Sequence, residues 1–457
     1  MKKLALEKLL KFTRQFIKYR TLDHLWNALK KLHYADVATL LEHLNSQERK
    51  TVIQLFIERE QDDIKLPDII SELKDEVAAE VLSYMDIEKI ICIMEKLPSD
   101  DASSLISLLD EEMQIEILKR MKKEDSEDIR EQLAYPEESA GRIMSTDFLA
   151  LMEDTSVGDA ISAIQLAGED VEVPFYLYVI DKDERLIGVV SLKQLILTNP
   201  KTKLKNIMNT DVYKVDVFTD QEEVASVVAN YNLLAIPVVD ENDKLVGVVT
   251  VDDIIDIIQS EATEDIYKLA GIRQDYHTNL SVLESLKKRV PWLFLSLFTT
   301  SVSAFIVGLF KGSIEDFIWL AVFMPIVAAV GGVVGNQTVA IMVREIVIGN
   351  LDWKTAKPVL FKQFFVGLGS GIAIGLISGI VSFLVSGFWI FGAIFAIALI
   401  INLSFAALFG TLVPLIFKAL KLDPALASGM IVTMMTDSIG YLSFLGLASL
   451  ILPHFLK

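Results

Sequence analysis

Five long apolar runs dominate the C-terminal part of the chain, at about 290–310, 317–343, 364–387, 389–417 and 425–452. Each reaches the ~20 residues that a helix needs to cross a hydrocarbon core. In lipid, every backbone N–H and C=O must be satisfied within the protein, so lone runs of this length can only be helices. The residues from 290 to 457 are therefore expected to form an all-α, five-helix transmembrane domain. The connections carry charge alternately. Lys287, Lys288 and Arg289 precede the first run, Arg344, Lys354, Lys357 and Lys362 lie between the second and third, and Lys418 and Lys421 between the fourth and fifth. In the first outer loop Lys311 is offset by Glu315 and Asp316, and the third-to-fourth turn has no charge. Basic loops stay in the cytoplasm, which predicts a cytoplasmic N-terminal part and a C-terminus outside, in the cell membrane.

The fifth run, ALASGMIVTMMTDSIGYLSFLGLASLIL, has one ionisable residue, Asp437, in its middle. A carboxylate at that depth costs at least ~2.5–3.5 kcal/mol and marks a functional site by default. Gly429, Thr433, Thr436 and Gly440 lie within one or two turns of it, small or polar, as in the wall of a cation path. No Lys, Arg or His lies inside the five runs to pair with it. The second run contributes PIVAAVGGVVGNQ, in which Gly331 and Gly332 permit close packing and Asn336 and Gln337 are candidate pore-lining amides or interhelical bonds. Asn402 and Pro414 in the fourth run read as structural. One carboxylate is little for a divalent ion, but a two-fold dimer supplies a facing pair. Mg2+ keeps most of its waters and needs only one or two carboxylates, so an Asp437 pair suits it. Without Cys or His in any run, zinc- and copper-selective sites are disfavoured, whereas Mn2+, Co2+ and Ca2+ stay open.

The rest of the chain is acidic. From Trp292 onward there are 8 Lys/Arg and 6 Asp/Glu, leaving 35 basic and 56 acidic residues before it. This balance excludes a nucleic-acid footprint. The single cysteine, Cys92, rules out an internal disulfide and fits a cytosolic compartment. No apolar h-region follows Met1, so a secretory signal is not expected. The chain lacks G-x-x-x-x-G-K-[ST], and its five histidines form no i, i+4 pair; no catalytic constellation is visible, and ATP-driven pumping is disfavoured.

Residues 1–135 have helical periodicity and no glycine. Three segments repeat a pattern, with Asn45, Asp86 and Asp110 at expected N-caps, which predicts stacked helix pairs in an α-superhelix. The acidic pairs Asp62-Asp63, Asp100-Asp101 and Glu111-Glu112 are expected as solvated faces. Residues 136–262 are duplicated: IMSTD at Ile143 matches IMNTD at Ile207, and GVVSLKQLI matches GVVTVDDII. The two copies, about 143–200 and 207–262, resemble a tandem pair of α/β cystathionine-β-synthase-type (CBS) domains. Such pairs often bind ATP or AMP through a Ser/Thr followed three residues later by Asp. Thr250 and Asp253 fit; in the first copy Ser191 fits, but Gln194 replaces the acid. Residues 263–289 read as a connecting helix, interrupted or bent near Gly271.

In this order of parts, and in PIVAAVGGVVGNQ and LDPALASG…TMMTDSIGYL, the chain resembles the MgtE family of magnesium channels. The resemblance implies a multidomain homodimer in the bilayer with a pore on the two-fold axis, where Asp437 binds the ion. It also implies that cytoplasmic Mg2+ closes the pore by bridging acids, which fall on Asp220, Glu222, Asp253, Asp256, Glu261, Glu264, Asp265 and, in the N-domain, Asp100. Ser104 stands where the family more often has another acid. The competing readings are an ion-coupled carrier of divalent cations and a membrane-anchored nucleotide sensor without transport.

Overall fold

The computed structural model describes residues 3–59, 65–167, 175–272, 282–347, 351–426 and 428–455. The Asp62-Asp63 pair, His277 and the middle of the expected connecting helix lie outside them. The chain divides into two compact units, residues 1–257 and 258–457.

The first unit begins with ten helices among the described residues: α1 (Lys3–Tyr19), α2 (Leu22–Leu29), α3 (Tyr34–Glu42), α4 (Ser46–Arg59), α5 (Leu66–Ser71), α6 (Asp75–Leu82), α7 (Ile87–Met94), α8 (Ser99–Ser107), α9 (Glu111–Arg120) and α10 (Lys123–Ala134). Along most of this series each helix packs on the one two places on, α4 on α6, α5 on α7, α6 on α8, α7 on α9 and α8 on α10. That ladder is the expected superhelix, and it buries one continuous apolar core from Leu25 to Ile129. Asn45 caps α4 reciprocally: its Oδ1 accepts the Glu48 N–H at 2.9 Å and its own N–H donates to Glu48 Oε2 at 3.2 Å. Asp86 and Asp110 stand at their N-caps without a side-chain capping bond.

The duplication builds two three-stranded sheets. The first copy comprises α11 (Ala140–Ile143), β1 (Ala150–Met152), α12 (Val157–Ala167), β2 (Tyr176–Ile180), β3 (Leu186–Ser191) and α13 (Leu192–Leu197). The second comprises β4 (Val215–Asp216), α14 (Gln221–Tyr231), β5 (Ala235–Val239), β6 (Leu245–Thr250) and α15 (Val251–Leu269). In each sheet a parallel pair precedes an antiparallel hairpin, with matching registers Val179↔Gly188 and Val238↔Gly247. The opening methionines are exchanged. Met144 of the first copy covers Gly247 of the second, and Met208 of the second covers Gly188 of the first; a Cβ at Gly188 would meet the Met208 Sδ at 2.7 Å. The sequence-level repeat is thus a two-fold clasp in space.

The second unit has five helices long and apolar enough to cross a membrane: α16 (Val282–Leu309), α18 (Trp319–Val347), α19 (Ala356–Ser386), α20 (Trp389–Ala419) and α21 (Ser428–Ile451), with a short α17 (Lys311–Asp316) after the first. Pro325 and Pro414 are accommodated within continuous helices. Leu293, Phe294, Leu297 and Phe298 of α16 are exposed, as on a lipid-facing surface. At one end Phe317, Phe323, Phe391, Phe395 and Phe444 pack together, mostly edge to face. The α19–α20 contact rests on Gly367, Gly371, Gly375 and Gly379, spaced by four so that they share one face of α19. Added Cβ atoms at the last three would lie 2.8–2.9 Å from the α20 backbone, whereas nothing approaches Gly369 within 4 Å. Gly371→Val should therefore lower the detergent-solubilised unfolding midpoint by an overpacking cost of about 1–3 kcal/mol, and Gly369→Val should leave it nearly unchanged.

Candidate functional site

Asp437 lies on α21 four residues after Thr433 and eight after Gly429, so the three share a helix face. They line a cavity of about 330 Å3 with Asn336, Val339 and Ala340 of α18 and Ser296, Thr299 and Thr300 of α16. Six water molecules at roughly 30 Å3 each occupy about 180 Å3, so a hydrated small cation fits the space. Among the described residues no side chain pairs with or hydrogen-bonds the Asp437 carboxylate. The other polar groups of the wall are hydroxyls and the Asn336 amide, set among Leu269, Val339, Met430 and Met434. Asn336 Nδ2 donates to Thr433 Oγ1 at 3.4 Å, and Thr433 Oγ1 donates to the Gly429 carbonyl at 2.8 Å.

The polar residues around Asp437 therefore divide between two faces. Thr436 is fully buried; its hydroxyl donates to the Thr433 carbonyl at 2.9 Å, and its methyl packs near Gly335. Gly440 backs on Asn402 and Val327. Gly331 and Gly332 are buried in the helix interface, and Gln337 is exposed outside the cavity. Gly331, Gly332, Gln337 and Thr436, expected to line the path, thus do not line this cavity. What sequence reading missed is α16. Its Ser296, Thr299 and Thr300 repeat at helical spacing, but small hydroxyls in an apolar run carry no distinctive signal.

The end of α15 lies at the same cavity, with Leu269 and Ala270 among the lining residues. Gly271, at φ +67°, ends the helix: the Ile272 N–H reaches back to the Tyr267 carbonyl at 2.8 Å. Lys268 bridges Glu264 at 2.6 Å and Asp423 of the α20–α21 connection. Burial works against the Lys268 ammonium, but the bonds from Asp423 and Glu264 outweigh it and hold its pKa above the ordinary value. Burial, helped by the Asp423 charge, pushes Asp265 up to about 6.

In the first unit a second group of acids converges. Burial pushes Asp101 up to about 7, reinforced by Asp253, Glu72, Asp68 and Asp252. Glu72 is raised by burial and Asp256, Asp253 by burial and Asp252, and Asp68 by burial, with His33 opposing at Asp68 and Glu72. Asp101 thus feels the acids of the second CBS copy, and Asp100 beside it is buried in α8. A one-residue step turns a helical side chain by about 100°, so the two adjacent acids leave α8 in different directions. Asp68, Glu72 and Asp252 join the group by tertiary folding alone. Among the described residues no three His, Cys, Asp or Glu side chains form a ready-made metal cage.

The other expected site residues are placed as follows. Asp220 caps α14, its Oδ1 accepting the Glu222 N–H at 2.9 Å. Glu261 is half-buried on α15. Thr250 donates its hydroxyl to Asp253. In the first copy Ser191 and Gln194 form a reciprocal capping box, which commits both side chains locally. Ser104 is exposed.

Comparison with known proteins agrees with this anatomy. The MgtE family, described as a divalent cation transporter, matches residues 324–447; the MgtE intracellular N domain matches 32–138, and CBS domains match 140–198 and 204–260. The magnesium transporter MgtE of Bacillus subtilis is 35% identical over 328 residues, 71% of this chain and 72% of that protein. That of Thermus thermophilus is 34% identical over 320 residues, covering 70% and 71%. The crystal structure of the cytosolic domain of the Mg2+ channel MgtE in complex with ATP superposes with a TM-score of 0.50 at 30% identity, covering 53% of this chain and 98% of that one. With five membrane-length helices, a CBS pair and a helical N-domain, the chain is a multi-pass membrane protein that belongs to the MgtE family of magnesium transporters.

Proposed function

We propose that this protein is a Mg2+-selective channel that works as a homodimer and is closed by Mg2+ on its cytoplasmic side. The observation that carries the reading is the Asp437 carboxylate, without a side-chain partner among the described residues, on a cavity whose other polar groups are hydroxyls and the Asn336 amide. Such a wall suits an ion that keeps its waters, with the carboxylate attracting charge and Thr433, Asn336 and the α16 hydroxyls bonding the water shell. The symmetry mate of Asp437 supplies the second charge. The N-terminal unit faces the cytoplasm in this reading, and the chain's C-terminal end lies outside.

Closure follows from the acid group in the first unit. Asp101, Glu72 and Asp253 are raised first by burial and then by neighbouring acids, among them Asp68, Asp252 and Asp256, because packing has brought like charges together. A divalent cation removes that repulsion and favours the compact arrangement, a population shift driven by preferential binding to one state. Asp220, Glu222, Glu261 and Asp265 are further acids through which Mg2+ acts. The CBS pair is a candidate ATP or AMP site at Thr250 and Asp253, by analogy with the ATP-bound relative.

Asp437→Asn should reduce Mg2+ flux into proteoliposomes by at least tenfold while the protein elutes as the same oligomer; wild-type flux in the variant overturns the assignment. A second outcome concerns pH. The folded pKa of Asp101 is raised above 3.8 to about 7, so the compact state binds more protons than the unfolded chain between those values. Stability without Mg2+ should fall as pH rises across that window. Mg2+ replaces the lost protons, so its stabilisation of the thermal midpoint should be larger at pH 8 than at pH 5.5. An equal effect at both pH values contradicts the proposal.

A further inference from the structure

Lys268 sits at an ionic junction in the second unit. Its ammonium lies between Glu264, which is 9% exposed, and Asp423. Asp423 itself is fixed: its Oδ1 accepts the Ala425 N–H at 2.7 Å, while its Oδ2 takes the lysine. The ion pair thus ties the last turn of α15 to the segment that starts α21, the helix bearing Asp437. The next residues lie over the cavity. Leu269 packs with Val339, Val343, Ala425 and Val432, and its carbonyl lies 3.6 Å from where a Cβ on Gly429 would be. Gly271 lies against Met430 and Trp292.

We propose that Lys268 is a positioning residue of the gate: its ammonium, held between Glu264 and Asp423, keeps the C-terminal turn of α15 on the mouth of the Asp437 cavity. The cation that closes this contact belongs to the chain. Closure at this point needs no bound metal, and Mg2+ acting elsewhere adds to a bias already present. Glu264, expected as a Mg2+-sensing acid, serves the lysine instead. The inference rests on the channel reading, so its test includes a measurement that does not depend on transport.

The full-length protein is reconstituted as wild type, Lys268→Gln, Lys268→Glu and the charge-swapped Lys268→Glu/Asp423→Lys. Lys268→Gln should raise flux at zero cytoplasmic Mg2+, and should raise the Mg2+ concentration that half-closes the channel, each by about fivefold, the factor carried by a partly buried ion pair of roughly 1 kcal/mol. The swapped pair should restore both values toward wild type, which a merely structural role for Lys268 does not predict. Independently, Ala270→Cys with Met430→Cys in a Cys92→Ser background should form a disulfide readily. That rate should fall when Lys268→Gln is added and recover with the swapped pair. An unchanged cross-linking rate in Lys268→Gln overturns the latch, whatever the flux. Slowed cross-linking in a protein without Asp437-dependent flux sustains the latch and rejects the channel reading.

Discussion

The membrane unit depends on one buried amide. Asn402 of α20 is fully buried; its Nδ2 donates to the Val327 carbonyl of α18 at 2.9 Å. It reaches that carbonyl because Gly331 of α18 and Gly440 of α21 leave room: a Cβ at Gly331 would collide with the amide, and one at Gly440 would lie 2.7 Å from Nδ2. In hydrocarbon, helices gain little from apolar burial, so close backbone approach and an interhelical hydrogen bond decide the packing. The Asn402 wedge locks α18, α20 and α21 in one rotation. That rotation turns Asn336, Thr433 and Asp437 to the cavity and sends Thr436 and Gly440 into the interface. Sub-ångström fit at three helices thus sets which polar groups an ion can meet.

Charge is distributed by the same logic. Among the described residues Asp437, in the middle of a membrane-length helix, has no side-chain partner, which is costly enough to imply a use. Outside the membrane, acids are abundant and crowded until burial and mutual repulsion push Asp101 to about 7. Between these extremes Lys268 neutralises Glu264 and Asp423 where α15 ends. In the proposed reading, cation binding in the first unit and cation passage in the second are separate tasks for carboxylates. The unbroken α15, from Val251 of the second CBS copy to Leu269 at the cavity, belongs to both in sequence.

Much of this was legible in the sequence because the governing physics is local or periodic. Run length gave five helices, and the internal repeat gave two matching sheets. The isolated Asp437 identified itself by cost. The missing signals were those that depend on rotation and long-range approach. A polar stripe drawn around Asp437 could not separate Thr433, which faces the cavity, from Thr436, which is buried. The Gly367–Gly379 series passes for ordinary apolar sequence until α20 is laid against it. Asp100 and Asp101 are equivalent on paper and differ by a third of a helical turn in space. The start of the expected connecting helix belongs to α15, already begun at Val251 and ended at Gly271, and its last residues, from Val282, open α16.

The most direct test of the account is the unitary current of the reconstituted protein with Mg2+ as sole permeant cation, recorded at zero and at millimolar Mg2+ on the face that bears the N-terminal unit. A gated path at Asp437 predicts discrete openings at zero Mg2+ and their loss at millimolar Mg2+, with conductance unchanged in the openings that remain. Flux without unitary events, or openings indifferent to Mg2+ on that face, would contradict it.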